Sequence, residues 1–481
     1  MKNSPKILVL EPPATSIHGN QRIYGGNGSN KSDFRKAPLD VMWMSGYLRT
    51  NEFDNELLDA NNARMNAESV IDWVQARMGS VDLVFMSTST STIYKDAQMG
   101  AMLKSTFPNV MVVAFGTQVM ALPEETLRES PGFDVAIYSN EWEQAALSVA
   151  KNLGSIGSAD GIVYRIGTSE LRRTPPIPVL HNLDDLGFPA HDKLMKENYR
   201  DPTMRRYPKT MVQASRACIA KCNFCCQPAF FGNVLKRTPE HVLDELEWVQ
   251  SLGFKEVYFN DATFTFDHDW NRAIFQGMID RKIDLVWFCT TRAHCLTPEI
   301  VKLMKQAGCH TIGVGMESVD DQVLRNIKKG VTRDTVRKAI NMIRAEGVDA
   351  LLFCVLGFLG ETKQSMKETL KFLMTIPASF ITLGIAAPVP GTPFFDEMDK
   401  AGYLKHKQWD LYDPLLEPVF DYPELKGVEI FETAAYGLRK FYLRPSYILD
   451  RVKAIRSPRQ FYSYVTNFFG FMRRYVFRNV S

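Results

Sequence analysis

Long apolar runs are missing from this sequence. Nowhere in its 481 residues does an uninterrupted apolar stretch approach the roughly 18 residues of a membrane-crossing helix. The first residues, "MKNSPKILVLEPP", carry only a short apolar run before Glu11, Pro12 and Pro13, too short for a secretory signal core. A cytoplasmic location is therefore expected. An excess of one charge is missing too. The net charge is +3, so the whole chain carries no strong electrostatic message. Cysteine is scarce, at eight residues, and in a reducing compartment clustered cysteines serve metals or catalysis rather than disulfides. With 45% hydrophobic and 23% charged residues, the composition is that of a globular chain with a usable core. Its length suits about three domains, or one large and one small.

Residues 5–150 alternate strand and helix patterns. Apolar runs at Lys6–Leu10, Glu56–Asp59, Asp82–Ser87, Val110–Phe115 and Asp134–Tyr138 are separated by helical patterns such as Ala67–Met78 and Tyr94–Thr106. Such alternation predicts a parallel sheet covered on both faces, with ligands beyond the carboxyl ends of the strands. Residues 151–205, rich in Pro and turn residues, read as a connector. A second series over 206–410 has candidate strands at Thr210–Ala214, Glu256–Asn260, Leu285–Thr290, Thr311–Met316, Ala350–Leu356 and Phe380–Ala386. Six β/α units predict a partial barrel of the TIM type, with chemistry at the strands' C-terminal ends. Residues 411–481 form a third, mainly helical region.

Four of the eight cysteines fall in "RACIAKCNFCC", directly after the first strand of the second series. Cys218, Cys222 and Cys225 stand as C-x3-C-x2-C, and Cys226 comes immediately after. Thiolates suit zinc or iron–sulfur clusters. A structural zinc site takes four ligands, usually as two paired half-sites, and no second C-x2-C pair occurs downstream. Cys289, Cys295, Cys309 and Cys354 sit singly. Three thiolates leave one metal position open, which fits a [4Fe–4S] cluster better. Adjacent loop residues point different ways, so Cys226 is read as a packing residue.

The cysteine spacing at the head of a six-unit β/α series resembles the radical S-adenosylmethionine superfamily. Phe224, just before the third cysteine, also matches. The resemblance implies that Cys218, Cys222 and Cys225 hold three irons while the fourth iron chelates S-adenosylmethionine. An electron from the cluster then generates a 5′-deoxyadenosyl radical. "EVYFNDATFTFD" resembles the second-strand segment of the superfamily's cobalamin-linked branch and implies that Asp261 lies near the cofactor's amino group. The long segment "WFCTTRAHCLTPEIVKLMKQAGCHTIGVGMESVDDQVLRNIKKG" resembles that branch as well. By this likeness Thr291 and Arg292 face the cofactor, and Glu317 meets its polar groups. In "LFCVLGFLGET", Gly357 would let the backbone pass close to the adenine, and "PVPGTPFFDEM" would lie near the substrate. Each position has a plainer alternative. Asp261 could cap the next segment, Arg292 could be an ion-pair partner, and Glu317 and Gly357 could be turn residues.

A doubly wound domain ahead of the barrel is the arrangement of the cobalamin-binding members, so the likeness covers about residues 5–410. Many of those domains carry D-x-H-x-x-G, whose His ligates cobalt. Here "LDANNARMN" keeps Asp59 but has Asn61 in place of His and Arg64 in place of Gly. Cobalamin is thus expected without a His lower ligand, held by loops containing Ser87, Thr88, Gly116, Gln118 and Glu141. A relic domain that keeps the fold without cobalamin, and hydroxyls that merely begin helices, are the rival readings. The Gly- and Asn-rich stretch "HGNQRIYGGNGSNKSDFRKAP" is expected to reach toward the barrel.

From Arg439 to Arg478 ten Lys and Arg residues mix with many aromatics. Three readings compete for this tail: a helical cap on the barrel mouth, a membrane-surface contact, and base stacking. No RNA-binding module accompanies it, so no nucleic-acid partner is expected. The expected reaction is methylation of an unactivated carbon of a small, hydrophobic substrate such as a lipid or tetrapyrrole. Flavodoxin or ferredoxin would donate electrons. The sequence style also resembles the anaerobic bacteriochlorophyll cyclase and hopanoid-linked enzymes, which keeps oxidative cyclisation or rearrangement open. A non-catalytic cobalamin or iron–sulfur sensor is the alternative from another class.

Overall fold

The computed structural model describes residues 4–14, 22, 35–413, 416–453, 455, 464–465 and 468–470. The first sheet contains β1 (Ile7–Glu11), β2 (Asn55–Asp59), β3 (Leu83–Ser87), β4 (Met111–Phe115), β5 (Val135–Ile137), β6 (Ile162–Ile166) and β7 (Glu170–Arg173), in the order β2-β1-β3-β4-β5-β6-β7. The strands from β2 to β5 run parallel, in register from Ile7 opposite Asn55 and Leu83. Both faces are buried because successive residues feed different cores. Ile7 and Val9 pack with the helices Leu39–Thr50 and Trp142–Lys151, and Leu8 and Leu10 pack with Ala67–Met78 and Ile93–Thr106. Two sequence expectations need correction here. The connector is not free of regular structure, because it contributes a hairpin. The sheet is mixed rather than parallel, because β6 and β7 add antiparallel to its edge. The reason is alternation in "IVYRIGTSELRR", whose turn at Gly167 (φ +58°) adopts the left-handed backbone glycine tolerates.

The second sheet is parallel throughout. It joins β8 (Lys209–Val212) to β11 (Glu256–Phe259), β12 (Val286–Thr291), β13 (Cys309–Glu317), β14 (Asp349–Leu356) and β15 (Phe380–Ile385), in chain order across the sheet. Between β8 and β11, the two-residue strands β9 (Ser215–Arg216) and β10 (Leu235–Lys236) pair antiparallel. The intervening helices start on sequence signals. Thr238, Thr297 and Thr392 each cap a helix by accepting the backbone N–H three residues on, and proline comes directly after each of them. Asp267, Thr332 and Thr362 cap three others. Each such cap contributes about 1 kcal/mol and fixes where the preceding strand-end loop stops.

Buried polar contacts fasten the connector to the barrel. His191 bonds Glu245 at 2.8 Å and Thr210 at 3.1 Å, and Glu245 also pairs with Arg237. Beyond the barrel, the helix Gly427–Tyr442 packs along β15. There Tyr442 donates its hydroxyl to the Ile381 carbonyl at 2.6 Å. Among the described residues no helix is long and apolar enough to cross a membrane. Most of the basic tail beyond Lys453, and most of the Gly- and Asn-rich stretch, lie outside the described residues.

Candidate active site

The cysteine loop leaves the C-terminal end of β8 under tight control. The buried Asp261 carboxylate accepts from the Ala214 N–H (3.1 Å) and the Ser215 hydroxyl (2.5 Å). The plainer expectation, that Asp261 caps the segment after it, is therefore replaced: it holds the end of the neighbouring strand. Burial pushes its carboxyl up to about 6. Ala217 then takes φ +69°, a left-handed conformation that costs a non-glycine residue about 1–2 kcal/mol. The turn delivers Cys218, whose sulfur lies 3.3 Å from the Thr263 hydroxyl and accepts from the Ala220 N–H at 3.4 Å.

The rest of the loop is pinned to the barrel rim. Asn223 donates its N–H to the Ile327 carbonyl and its side-chain amide to that of Asn326 (3.3 Å), and it accepts from the Phe394 N–H at 3.0 Å. The Phe224 ring lies 4.7 Å from Phe358. Cys225 precedes the short helix Cys226–Phe230, on which Cys226 is buried. The thiols are near enough to sense one another. Burial, then charge at Cys222 and Cys218, pushes the Cys225 thiol up to about 12, against the opposing charge of Lys329. Iron bound as a cation reverses that balance, because a coordinating thiol is deprotonated outright. Among the described residues no three thiols, imidazoles or carboxylates converge on a single ion. Three cysteine thiols on one loop, with no fourth protein ligand assigned, are a donor set whose chemistry suits a cluster with one open iron.

Charged groups surround Cys222. Arg292 Nη1 lies 3.7 Å from its sulfur, while Nη2 donates to the Lys329 carbonyl. Lys329 pairs with Glu317 at 2.6 Å, both nearly buried, and Glu317 holds φ +72° at the end of β13. Thr291, at the end of β12, shares a 2.6 Å hydroxyl contact with Thr265. Gly357 has φ +92°, and its N–H donates to Glu361 at 2.5 Å. The close approach at Gly357 is to the C-terminal region. A side chain there would meet Ile430 and Phe420 at 3.2–3.3 Å, and Tyr422 donates to its carbonyl.

The strand ends of the first sheet meet this mouth. Gly391, in the segment after β15, lies between Phe230 and Ala121. Trp142 sets its ring edge-on to Phe231 (5.8 Å) and Phe115 (5.4 Å). Of the candidates there, Ser87 donates to Glu11, and Thr88 donates to the Phe115 carbonyl at 2.8 Å. Gly116, at φ +136°, lies so close to the Thr88 carbonyl that a Cβ would stand 2.2 Å from it. These three join the ends of β1, β3 and β4. Gln118 Oε1 and Thr90 Oγ1 are buried and have no hydrogen-bond partner among the described residues. Glu141 approaches Arg216 at 3.6 Å and accepts from the Leu180 N–H. Asp59 accepts from the Tyr199 hydroxyl (2.9 Å) and the Asn62 N–H (2.8 Å), and burial pushes it up to about 8. Arg64, standing where the cobalt-ligating motif has Gly, keeps a left-handed φ of +55°.

The sequence reading missed Lys329 and Arg216. "RNIKKG" held the first in plain view, but only the fold shows it returning to Glu317. Arg216 immediately precedes Ala217 and Cys218, and its partners come from the start of the helix Trp142–Lys151 in the first domain.

A loop of three thiols at the strand ends of a partial parallel barrel, beside a doubly wound sheet, is the arrangement that the resemblance to cluster-bearing radical enzymes implies. Comparison with known proteins agrees. Residues 212–373 match the Radical SAM superfamily, so the barrel is a radical SAM domain, the kind that carries a [4Fe–4S] cluster and uses S-adenosylmethionine. The chain is 27% identical to an uncharacterized methyltransferase of Pyrococcus horikoshii, over 93% of this chain and 94% of the relative. It is 25% identical to the anaerobic magnesium-protoporphyrin IX monomethyl ester cyclase of Synechocystis, over 84% and 80% of the two chains. Among solved structures it resembles the cobalamin-dependent S-adenosylmethionine radical enzyme OxsB with aqua-cobalamin and S-adenosylmethionine bound. That match has a TM-score of 0.70 and 15% identity, and covers 100% of this chain and 73% of that one.

Proposed function

We propose that this radical SAM enzyme transfers a methyl group to an unactivated carbon of a small, largely apolar substrate such as a tetrapyrrole or lipid, with cobalamin bound at the first sheet. One observation carries the reading: Gln118 Oε1 and Thr90 Oγ1, buried acceptors with no hydrogen-bond partner among the described residues, follow strand ends of the first sheet, and that domain touches the cysteine loop's helix through Trp142 and Ala121. Such acceptors suit the amide side chains of a corrin, and Asn61 stands where many cobalamin domains carry His. When bound, the cluster supplies the electron that cleaves S-adenosylmethionine, and cobalamin supplies the methyl group.

The residues divide the remaining work. Cys218, Cys222 and Cys225 hold the irons, with Phe224 packed beside them. Arg292 and the Lys329–Glu317 pair place fixed charge beside Cys222, and Thr291 and Asp261 keep the mouth in register. Glu141 stands at the boundary between the two faces. Flavodoxin or ferredoxin would supply electrons. The exposed Ile448, Leu449 and Val452 beside Lys453 would let the tail rest on a membrane surface.

The test is anaerobic reconstitution with iron, sulfide, cobalamin and reductant, then incubation with methyl-labelled S-adenosylmethionine and candidate tetrapyrroles. Methylation is expected to give 5′-deoxyadenosine together with a product that carries the label. The resemblance to the magnesium-protoporphyrin ester cyclase favours a second reading, oxidative cyclisation, which would form 5′-deoxyadenosine and an unlabelled product. Failure to form 5′-deoxyadenosine at all would sink both.

A further inference from the structure

Arg216 lies two residues before Cys218, yet its guanidinium is paired outside the barrel. Nη2 donates to Glu143 Oε1 at 2.7 Å and Nη1 to Glu143 Oε2 at 3.2 Å, a two-point fork. Glu141 adds a second carboxylate at 3.6 Å. Arg216, Glu141 and Glu143 are 6%, 3% and 2% exposed, so solvent screens the group little. Between the two glutamates, Trp142 packs on Phe231, the residue just past the helix that closes the cysteine loop. One tripeptide of the first domain therefore grips the loop at both ends.

The loop has a reason to be gripped. Ala217 holds a left-handed φ of +69° between Arg216 and Cys218. Such a conformation persists when its surroundings over-determine it. Asp261 fixes Ser215 from inside the barrel, and Glu143 fixes Arg216 from across the domain boundary. Neither contact involves a cysteine, yet together they set the direction in which the chain enters Cys218.

We infer that Glu143, acting through Arg216, is a positioning residue for the cysteine loop, holding the turn at Ala217 that aims Cys218. This rests on Cys218, Cys222 and Cys225 being the cluster ligands. A salt bridge that merely docks two domains would lower the melting temperature and leave the cluster's own signature alone. A positioning contact moves that signature, and relief of the turn restores it.

The experiment compares the reconstituted full chain with Glu143→Gln and with Glu143→Gln combined with Ala217→Gly. Glycine tolerates the turn without support, although the salt bridge stays broken. For each protein, iron content, the electron paramagnetic resonance spectrum of the reduced cluster with and without S-adenosylmethionine, and the rate of cluster loss to a chelator are measured. Glu143→Gln is expected to alter the spectrum and to speed cluster loss roughly 5- to 30-fold, the ratio that strain of this kind represents. Ala217→Gly is expected to recover most of that change. A wild-type spectrum in Glu143→Gln, with cluster loss unchanged, would overturn the proposal, as would failure of the glycine rescue. Should Glu143→Gln not fold, Arg216→Lys asks the same question, because lysine keeps the charge and loses the fork. Wild-type chain that takes up no iron would overturn the ligand reading beneath the proposal, a result distinct from failure of the variants alone.

Discussion

The two sheets meet end to end, and they use their ends in opposite ways. At the first, polar groups consume one another. Arg22 bridges Glu11 and Asp96, Ser87 donates to Glu11, and Tyr199 donates to Asp59. At the second, the partners of the thiols among the described residues are weak: a hydroxyl 3.3 Å and the Ala220 N–H 3.4 Å from Cys218, and a guanidinium 3.7 Å from Cys222. The difference matches what the proposed function asks of each end. Irons need free, deprotonable donors, so the loop that carries them spends its strong hydrogen bonds on backbone and leaves sulfur available. A large organic cofactor needs a firm shaped surface with a few acceptors to spare, and Gln118 and Thr90 are such acceptors.

The strongest way to break this comparison is to remove one donor. Cys222→Ala is expected to abolish 5′-deoxyadenosine formation and leave substoichiometric iron, measured after anaerobic reconstitution. Cys226→Ala is expected to keep both at wild-type levels, because Cys226 is buried on the helix rather than presented by the loop. Equal losses in the two variants would make all four cysteines one site.

Next in size is Lys329→Met. It strands Glu317 as a buried, uncompensated carboxylate and is expected to cost about 3–5 kcal/mol of stability by chemical denaturation. Adding Glu317→Gln should recover most of that loss, since the pair then leaves together. An unchanged denaturation midpoint for Lys329→Met would show that the ion pair does not hold the mouth.

Legibility in the sequence tracked the range of the interactions. The cysteine loop, the capped helices and the six barrel strands depend on residues a few positions apart, so spacing alone placed them. Lys329 and Glu317 meet across 12 residues, and Arg216 and Glu143 across 73, and nothing local marks either pair. The resemblance implies a close approach of the adenine at Gly357, whereas the side chains packed there, Phe420 and Ile430, come from the far end of the chain. The β6–β7 hairpin was hidden by the Pro-rich stretch just after it.

A smaller effect tests the first sheet. Gln118→Leu removes a buried acceptor that has no hydrogen-bond partner among the described residues. It is expected to leave stability unchanged or raised, while weakening cobalamin binding roughly 10-fold, about the worth of one hydrogen bond. Absorbance titration with cobalamin measures this, and unaltered affinity would mean that Gln118 does not face the corrin.

A pH-dependent effect separates two aspartates at comparable places, Asp59 ending β2 and Asp261 two residues past β11. Burial raises both, Asp59 to about 8 and Asp261 to about 6. An unfolded aspartate titrates near 4. Below that value both states hold the proton and stability does not depend on it. Above it the folded state keeps a proton the unfolded state has lost, so stability falls as pH rises, at no more than about 1.4 kcal/mol per pH unit for each group. The fall ends at the folded pKa. Asp59→Asn should therefore flatten the stability curve from about pH 4 to pH 8, and Asp261→Asn only from about pH 4 to pH 6. Denaturant midpoints at pH 5 and pH 7.5 separate the two windows. Between pH 6 and pH 7.5 only the Asp59 variant should diverge from wild type, because burial and the neighbouring Glu11 charge raise Asp59 by more than the hydrogen bonds from Asn62 and Tyr199 lower it. Identical curves for the two variants would erase the distinction between a sheet end that buries its carboxyl and one that wires it to Ser215 and the Ala214 backbone.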